Sequence, residues 1–482
     1  MEESADAVTE KKRRFPKSIP FILILSLLER VSSIGSSSIL LLYLYTKLNF
    51  DQATSTALFH TNEFLAYFFP IIGAIIAESY LGIFKTLLAG SILFFIGTAI
   101  VAVGAVEFLH LPVIPLTIFG LFMAVFGMGF LRGNITAFGG NQYKLPEEQT
   151  SLQHFFSYQI MFIKVGALVS RIFSPVMRQD VKCFGADDCY PFAFGFTSVM
   201  MLLAFLTILA GKNFYTHRKV TENVFKKVCG CVIYSLKEKL FMRRKIKRDH
   251  WLDYADTQYE AELIEDTKKI VRILKLFSPI PFFWAVYMQQ SSRWIFQATR
   301  MDGDLGFYTI KPDQMIAFNP ISCIFLMPIC NYIVYPLLSK IKLGGLLARI
   351  TIGGFICCSA FIIAIFIELK IQNSAHPISM LWLVPQFVVI SISENFFFVA
   401  LLNFAYTEGP ASMKSIMTAC VFTTIAIGNI MVTLISGAKI FSSQVYEFTF
   451  FAIILFIAVI FFSILAVNFK KMQSNARATC VN

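Results

Sequence analysis

Apolar residues run along this chain in stretches of about 20 or more, broken by short polar segments, and each such run is long enough to cross about 30 Å of hydrocarbon as a helix. Residues 21–44, 87–106 and 448–467 are the clearest cases. Read from end to end, the pattern predicts twelve spans, at 19–47, 54–79, 83–107, 112–137, 151–174 and 190–211, then at 273–299, 312–340, 345–370, 378–406, 411–438 and 445–469. A long polar segment, 212–272, separates six from six. The organisation expected is therefore an N-terminal tail over 1–18, a six-helix bundle over 19–211, a linker over 212–272, a second bundle over 273–469 and a tail over 470–482.

Composition strengthens the membrane reading. Of 482 residues 56% are hydrophobic and 15% charged, and 52 are phenylalanine, far from the balance of a soluble domain. The leader is charged and the apolar run behind it is too long for a signal h-region, so the first helix is expected to stay as an anchor. Lys11, Lys12, Arg13, Arg14 and Lys17 precede that helix and place the N-terminus in the cytoplasm. An even number of spans returns the C-terminus there, beside Lys470 and Lys471.

The net charge of +12 raises the question of nucleic acid, and its location answers it. Residues 212–248 are dense in Lys and Arg, with Glu222 and Glu238 the acids among them, which is the signature of a cytoplasmic loop. Phe225, Val228, Val232, Leu236 and Leu240 recur there at helical spacing, the expectation being an amphipathic helix on the anionic leaflet. The partner predicted is a lipid bilayer and not nucleic acid.

Most of the ten cysteines fall in apolar runs, where a thiol packs as a small hydrophobe. Cys183 and Cys189 share a polar loop assigned to the outside, and a disulfide or two free thiols are both open there. Six histidines, with no H-E-x-x-H, no G-x-S-x-G and no phosphate-cradling loop, predict no enzyme, no metal and no cofactor. Gly139 and Gly140 are followed by no Lys-Ser pair, and the sequon at Asn134 falls at the cytoplasmic end of a predicted span.

Two six-helix halves joined by a cytoplasmic linker are the architecture of the major facilitator class, with the solute between the halves. Residues 73–86, GAIIAESYLGIFKT, resemble its signature. Further segments resemble the proton-coupled oligopeptide transporter family, in particular its animal di- and tripeptide carriers. They are 283–301, FWAVYMQQSSRWIFQATRM; 311–315, KPDQM; Tyr335 with Pro336; 137–143, AFGGNQY; 155–170, FFSYQIMFIKVGALVS; 250–253, HWLD; Met413 to Ser415; and Gly428 to Ile430. The large extracellular insert of animal members is reduced to a short segment near 372–377. The resemblance implies an all-α membrane protein of the major facilitator fold that imports di- and tripeptides with protons, as a monomer, in the plasma membrane. Other solutes (amino acids, acidic peptides), uniport, or a peptide sensor without turnover stay open, because several of the family's positions are altered here.

Ionisable groups within spans cost about 2.5–3.5 kcal/mol each on insertion scales and mark a solute or proton path. Glu29 and Arg30 resemble the end of the family's E-x-x-E-R motif, whose first acid is Ser26 here; Ser33 and Ile34 replace paired tyrosines. They either respond to proton and peptide carboxylate or neutralise one another. His60 stands where animal members have a proton-handling histidine, or else is a buried histidine that only donates a packing hydrogen bond; Glu63, on the same helical face, is expected to replace in part the acid lost at Ser26 and to give His60 a charged partner. Arg132 corresponds to a lysine thought to attract the peptide carboxylate, or else pairs with Glu29. Glu394 corresponds to the acid that receives the peptide amino group. Lys164 replaces an asparagine and could meet Glu394, Glu63 or a second carboxylate on an acidic peptide; Arg171 follows on its face. Arg293 resembles a gating arginine, Trp294 and Asn319 match family positions assigned to solute binding, and Met288 replaces an aspartate.

Overall fold

The computed structural model describes residues 16–144, 148–216, 224–242, 248, 250–410 and 413–479. The Lys11 to Arg14 cluster, the chain end at 480–482 and parts of the basic linker, 217–223 and 243–247, lie outside the described residues, as do the side chains of Phe225, Lys414 and Ser415.

Among the described residues, eleven helices are long and apolar enough to cross a membrane. They are α1 (Ile19–Lys47), α2 (Gln52–Leu81), α3 (Ile83–Gly104), α4 (Val113–Gly140), α5 (His154–Gln179) and α6 (Tyr190–Ala210) in the first half. After the linker helices α7 (Val224–Met242) and α8 (Ala261–Phe277) comes the shorter α9 (Ile280–Ala298). The second half continues with α10 (Pro312–Lys340), α11 (Leu346–Asn373), α12 (Met380–Glu408), α13 (Ile416–Gly437) and α14 (Gln444–Met472). Among the described residues there is no strand, only isolated bridges.

The seventh span departs from the single helix expected at 273–299. α8 and α9 meet at a bend of 50°. Pro279 and Pro281 flank that bend, and proline supplies no N–H to continue a helix through it. Within α9 the helix tightens to a 3₁₀ turn at Met288–Ser291, then breaks at Ser292, whose φ and ψ are −137° and −81°.

Small residues set the closest helix crossings, as expected where lipid on every side removes a hydrophobic drive and close van der Waals packing must hold helices together. Gly97 lies against Gly120 and Ala124, and Gly127 against Gly90, along the seam of α3 and α4. A Cβ on Gly73 would strike the Gly129 carbonyl, so the first glycine of the facilitator-like motif is the contact of α2 with α4. Its last, Gly82, turns the chain at φ +76°, where an L side chain is strained.

Each half has its own apolar core. Ile22, Ala66, Phe94, Phe155 and Met201 are buried in the first. Trp284, Phe361, Phe387, Phe451 and Leu455 are buried in the second. A third cluster joins the halves near the α1–α2 loop, where Tyr43, Phe59, Tyr190 and Phe194 pack with Ile295 and Phe296.

The linker differs from the leaflet-bound helix expected of it. Val228 is buried with the core of the second half, and Val232 packs on a small cluster of Cys231, Leu252, Ala255 and Ile264. Two of the five anticipated lipid-facing residues are thus covered by protein, and Leu236 and Leu240, with Ile233, are exposed among the described residues. The HWLD segment forms a capped turn, His250 accepting from the Leu252 N–H and Asp253 from the His250 N–H. Cys183 and Cys189 are joined as a disulfide in the α5–α6 loop.

Candidate functional site between the halves

Glu394 is carried by α12 and faces the other half. Its Oε2 accepts from Tyr287 Oη at 2.6 Å and Asn319 Nδ2 at 3.2 Å, with Cys323 Sγ at 3.4 Å. Asn319 and Cys323 are one helical turn apart on α10 and so present the same face to it. The other oxygen, Oε1, lies 3.6 Å from Lys164 Nζ on α5, an ion pair that spans the two halves. Of the partners open to Lys164 in the sequence, the fold selects Glu394. A carboxylate out of bulk water needs this many donors, since an unpaired one would carry its full desolvation cost.

The first half supplies the remaining charges. Arg30 Nε lies 3.2 Å from Glu29 Oε2, and Gly166, two residues after Lys164, admits α1 so closely that an added Cβ would stand 3.0 Å from Arg30 Cβ. Arg132 ends the first segment of α4, where Gly133 turns at φ +80°. Its guanidinium sits 4.7 Å over the Tyr67 ring, and Nη1 donates to the Ala66 carbonyl at 3.3 Å. Among the described residues no acid lies within ion-pair distance of Arg132, so its pairing with Glu29 does not occur in this conformation.

His60 and Glu63 part company. Glu63 accepts from Ser37 at 2.8 Å, while His60, fully buried, bridges Asn429 and Ser292 at 2.8 Å each. The expected charged partner for His60 is therefore replaced by two neutral ones on the opposite half. The i, i+3 spacing placed both residues on one side of α2, but that side is divided between α1 and α13. Asn429 donates its Nδ2 to the Ile425 carbonyl, so its Oδ1 faces His60. Nδ1 then donates to Asn429, and Nε2 is met by a hydroxyl that can give or take a proton, so both ring nitrogens are satisfied.

One further expectation is corrected in position. Trp294, expected at the solute, is fully buried between Phe361 and Phe387 in the core of the second half. Arg293, expected in gating, forms a buried ion pair with Glu447 on α14, 2.9 Å long. That pair borders a cavity of about 290 Å³ shared with Asp51, Gln52, Lys439 and Gln444.

Polar bonds across the two halves gather at the end that carries this cavity. Arg178 holds Asp313 with two bonds of 3.0 Å, Lys311 reaches Asp180 at 2.8 Å, and Lys439 reaches Asp51 at 3.0 Å. Asp51, at the surface, has its carboxyl lowered to about 2 by the Thr54 hydroxyl and by Lys439. The Arg178–Asp313 pair was not anticipated, because the fifth helix was expected to end at 174. Its signal was present in KPDQM, which contains Asp313.

Residues 84–449 match the POT family. The chain is 37% identical over 374 residues to Peptide transporter family 1 of Drosophila melanogaster, covering 78% of this chain and 50% of that one. It is 36% identical over 368 residues to Solute carrier family 15 member 2 of Homo sapiens, with 75% and 50% covered. The chain thus spans about half the length of the curated relatives it matches. Among solved structures, the POT family transporter PepTSo superposes with a TM-score of 0.81 at 21% identity, covering 95% of this chain and 99% of that one.

Proposed function

The chain belongs to the POT family, and on that premise we propose that it is a secondary transporter taking up di- and tripeptides together with protons. The observation that carries this reading is Glu394: a carboxylate at the interface of the halves, cradled by Tyr287, Asn319 and Cys323 and facing Lys164 of the first half, whose helices also carry Arg30 and Arg132. A short peptide is a zwitterion. Its ammonium suits Glu394, and its terminal carboxylate suits the guanidinium groups, which bind carboxylates in a fixed planar geometry.

In this reading the end carrying the α1–α2, α5–α6 and α13–α14 loops is extracellular and both termini are cytoplasmic, in the plasma membrane. The ion pairs at Arg178, Lys311 and Lys439 then close the outer mouth, and the conformation is inward-facing. The halves rock about the site. Protons bound at Glu29, His60 or Glu63 are linked to peptide binding by a coupling free energy. Arg293, through Glu447, belongs to the outer closure. The unit is a monomer of two bundles, 19–211 and 273–469, with the linker and both tails in the cytoplasm.

The test is uptake of labelled dipeptide into proteoliposomes, with and without an inward proton gradient, beside Glu394→Ala. Accumulation above equilibrium that is abolished in the variant supports proton–peptide symport at this site. Equal uptake by the variant would remove Glu394 from the solute path.

A further inference from the structure

The amino-group site at Glu394 is already occupied by an ammonium of the protein's own. One oxygen of that carboxylate carries three donors, and the other faces Lys164 Nζ at 3.6 Å. A peptide ammonium arriving there meets a like charge, Lys164, beside the one carboxylate oxygen that the three donors leave free. Lys164 is not sealed in, however: its side chain is 32% exposed, against 14% for Glu394, so it can be reached and drawn away.

The neighbouring charges point the same way. Arg171 lies two turns along α5 from Lys164, on the same face, near enough for its charge to act on Lys164, Tyr287 and Cys323. Glu29 and Glu63 act on Arg132 in the same manner. Taken together, Arg30, Arg132, Lys164 and Arg171 stand against Glu29, Glu63 and Glu394. A zwitterion leaves that surplus of positive charge unchanged, whereas a solute of net charge −1 cancels it.

Resting on the peptide-transport reading above, we propose that this site selects peptides bearing a second carboxylate, an aspartyl or glutamyl side chain, and that Lys164 is the residue that receives it. Once that carboxylate takes Lys164, Oε1 of Glu394 is released to accept the peptide ammonium. The two events are one exchange of partners. An acidic peptide supplies both halves of it; a neutral peptide supplies only the ammonium, leaving Lys164 desolvated without a counter-charge.

The experiment compares alanyl-glutamate with alanyl-glutamine, which match in shape and differ in charge. Uptake of each labelled dipeptide into proteoliposomes is measured for the wild type, Lys164→Gln and Lys164→Arg. The same pairs are read by thermal stabilisation of the detergent-solubilised proteins, so that a variant that binds without transporting still reports. The wild type is expected to favour alanyl-glutamate by about tenfold in half-saturating concentration, Lys164→Arg to keep most of that ratio, and Lys164→Gln to abolish it. Equal handling of both peptides by the wild type overturns the proposal and leaves peptide transport standing. A ratio that survives Lys164→Gln also overturns it, by moving carboxylate recognition elsewhere. Absence of uptake and of stabilisation by either peptide in the wild type sinks the peptide reading itself, and the proposal with it.

Discussion

His60 illustrates how a titratable residue can be held by neutral partners. Both ring nitrogens are bonded to groups that are themselves buried, Asn429 and Ser292, and these come from the opposite half of the molecule. Removing the ring strands two polar groups away from water, at about 1–3 kcal/mol each. His60→Leu is therefore expected to lower the thermal midpoint of the purified protein, while His60→Gln, which can still donate and accept, loses less. Because the cost lies in the stranded partners, adding Asn429→Leu to His60→Leu should cost less than the sum of the two single changes. Additive losses in a detergent melting series would show that the two side chains are not coupled.

The same residue scale separates Arg132, expected at the solute, from Arg293, expected in gating, by the partners each one has. Arg132 has an aromatic face and a carbonyl but no acid, and so keeps its charge available. Arg293 is committed to Glu447, whose side chain is only 4% exposed. Motif position alone cannot tell these apart, since the choice depends on which acid a distant helix brings within 4 Å.

At the scale of helices, the glycines are the parts that tolerate least. Gly73 packs on the Gly129 backbone, where no side chain can move aside, and Gly127 packs on Gly90 in the same fashion. Gly73→Leu is expected to abolish monodisperse behaviour in size-exclusion chromatography, whereas Gly195→Leu, where an added Cβ meets no other part of the protein within 4 Å beyond its own helix backbone, should be neutral. Equal recovery of both variants would mean that the α2–α4 seam can open without loss. The break in α9 belongs here too. Regular hydropathy at 280–298 reads as one helix, yet the polar run Gln289, Gln290, Ser291, Ser292 lets the backbone leave helical geometry within the span, since polar side chains can satisfy what the backbone gives up.

At the scale of the whole molecule, ion pairs join the halves at one end beside the apolar cluster of Tyr43, Phe59, Ile295 and Phe296, and the pH response of one of them follows from Asp51. Its carboxyl is lowered to about 2 in the folded protein, below the unfolded carboxylate value of about 3.9, so its contribution is fully present above the unfolded value and is lost only as pH falls toward 2. Asp51–Lys439 consequently stays charged across the range in which a cellular proton gradient operates. Asp51→Asn is expected to shift the balance between open and closed forms of that end, seen as altered accessibility of a cysteine placed at Ser442 to a thiol reagent. It should leave the shape of the pH–uptake profile between about pH 5 and 8 unchanged. A changed profile would assign proton sensing to the closure itself.

Much of this architecture was legible from the residues. Long apolar runs can bury their backbone polar groups in lipid only as helices, so an all-helical chain and eleven of the twelve expected spans follow from local sequence, whereas the seventh is a pair of helices bent by 50°. The intramembrane charges stood out for the same reason, because lipid tolerates none without a purpose. What the sequence by itself could not determine is who faces whom. Lys164 had three possible partners, His60 had an obvious acid three residues away, and Trp294 sat beside an arginine of the expected path. The tertiary structure gave Lys164 to Glu394, His60 to Asn429 and Ser292, and Trp294 to the core. Each of these contacts joins residues more than sixty positions apart. Their energies arise only when helices pack with a particular rotation and depth, and that packing is a property of all the helices at once, which no local period encodes.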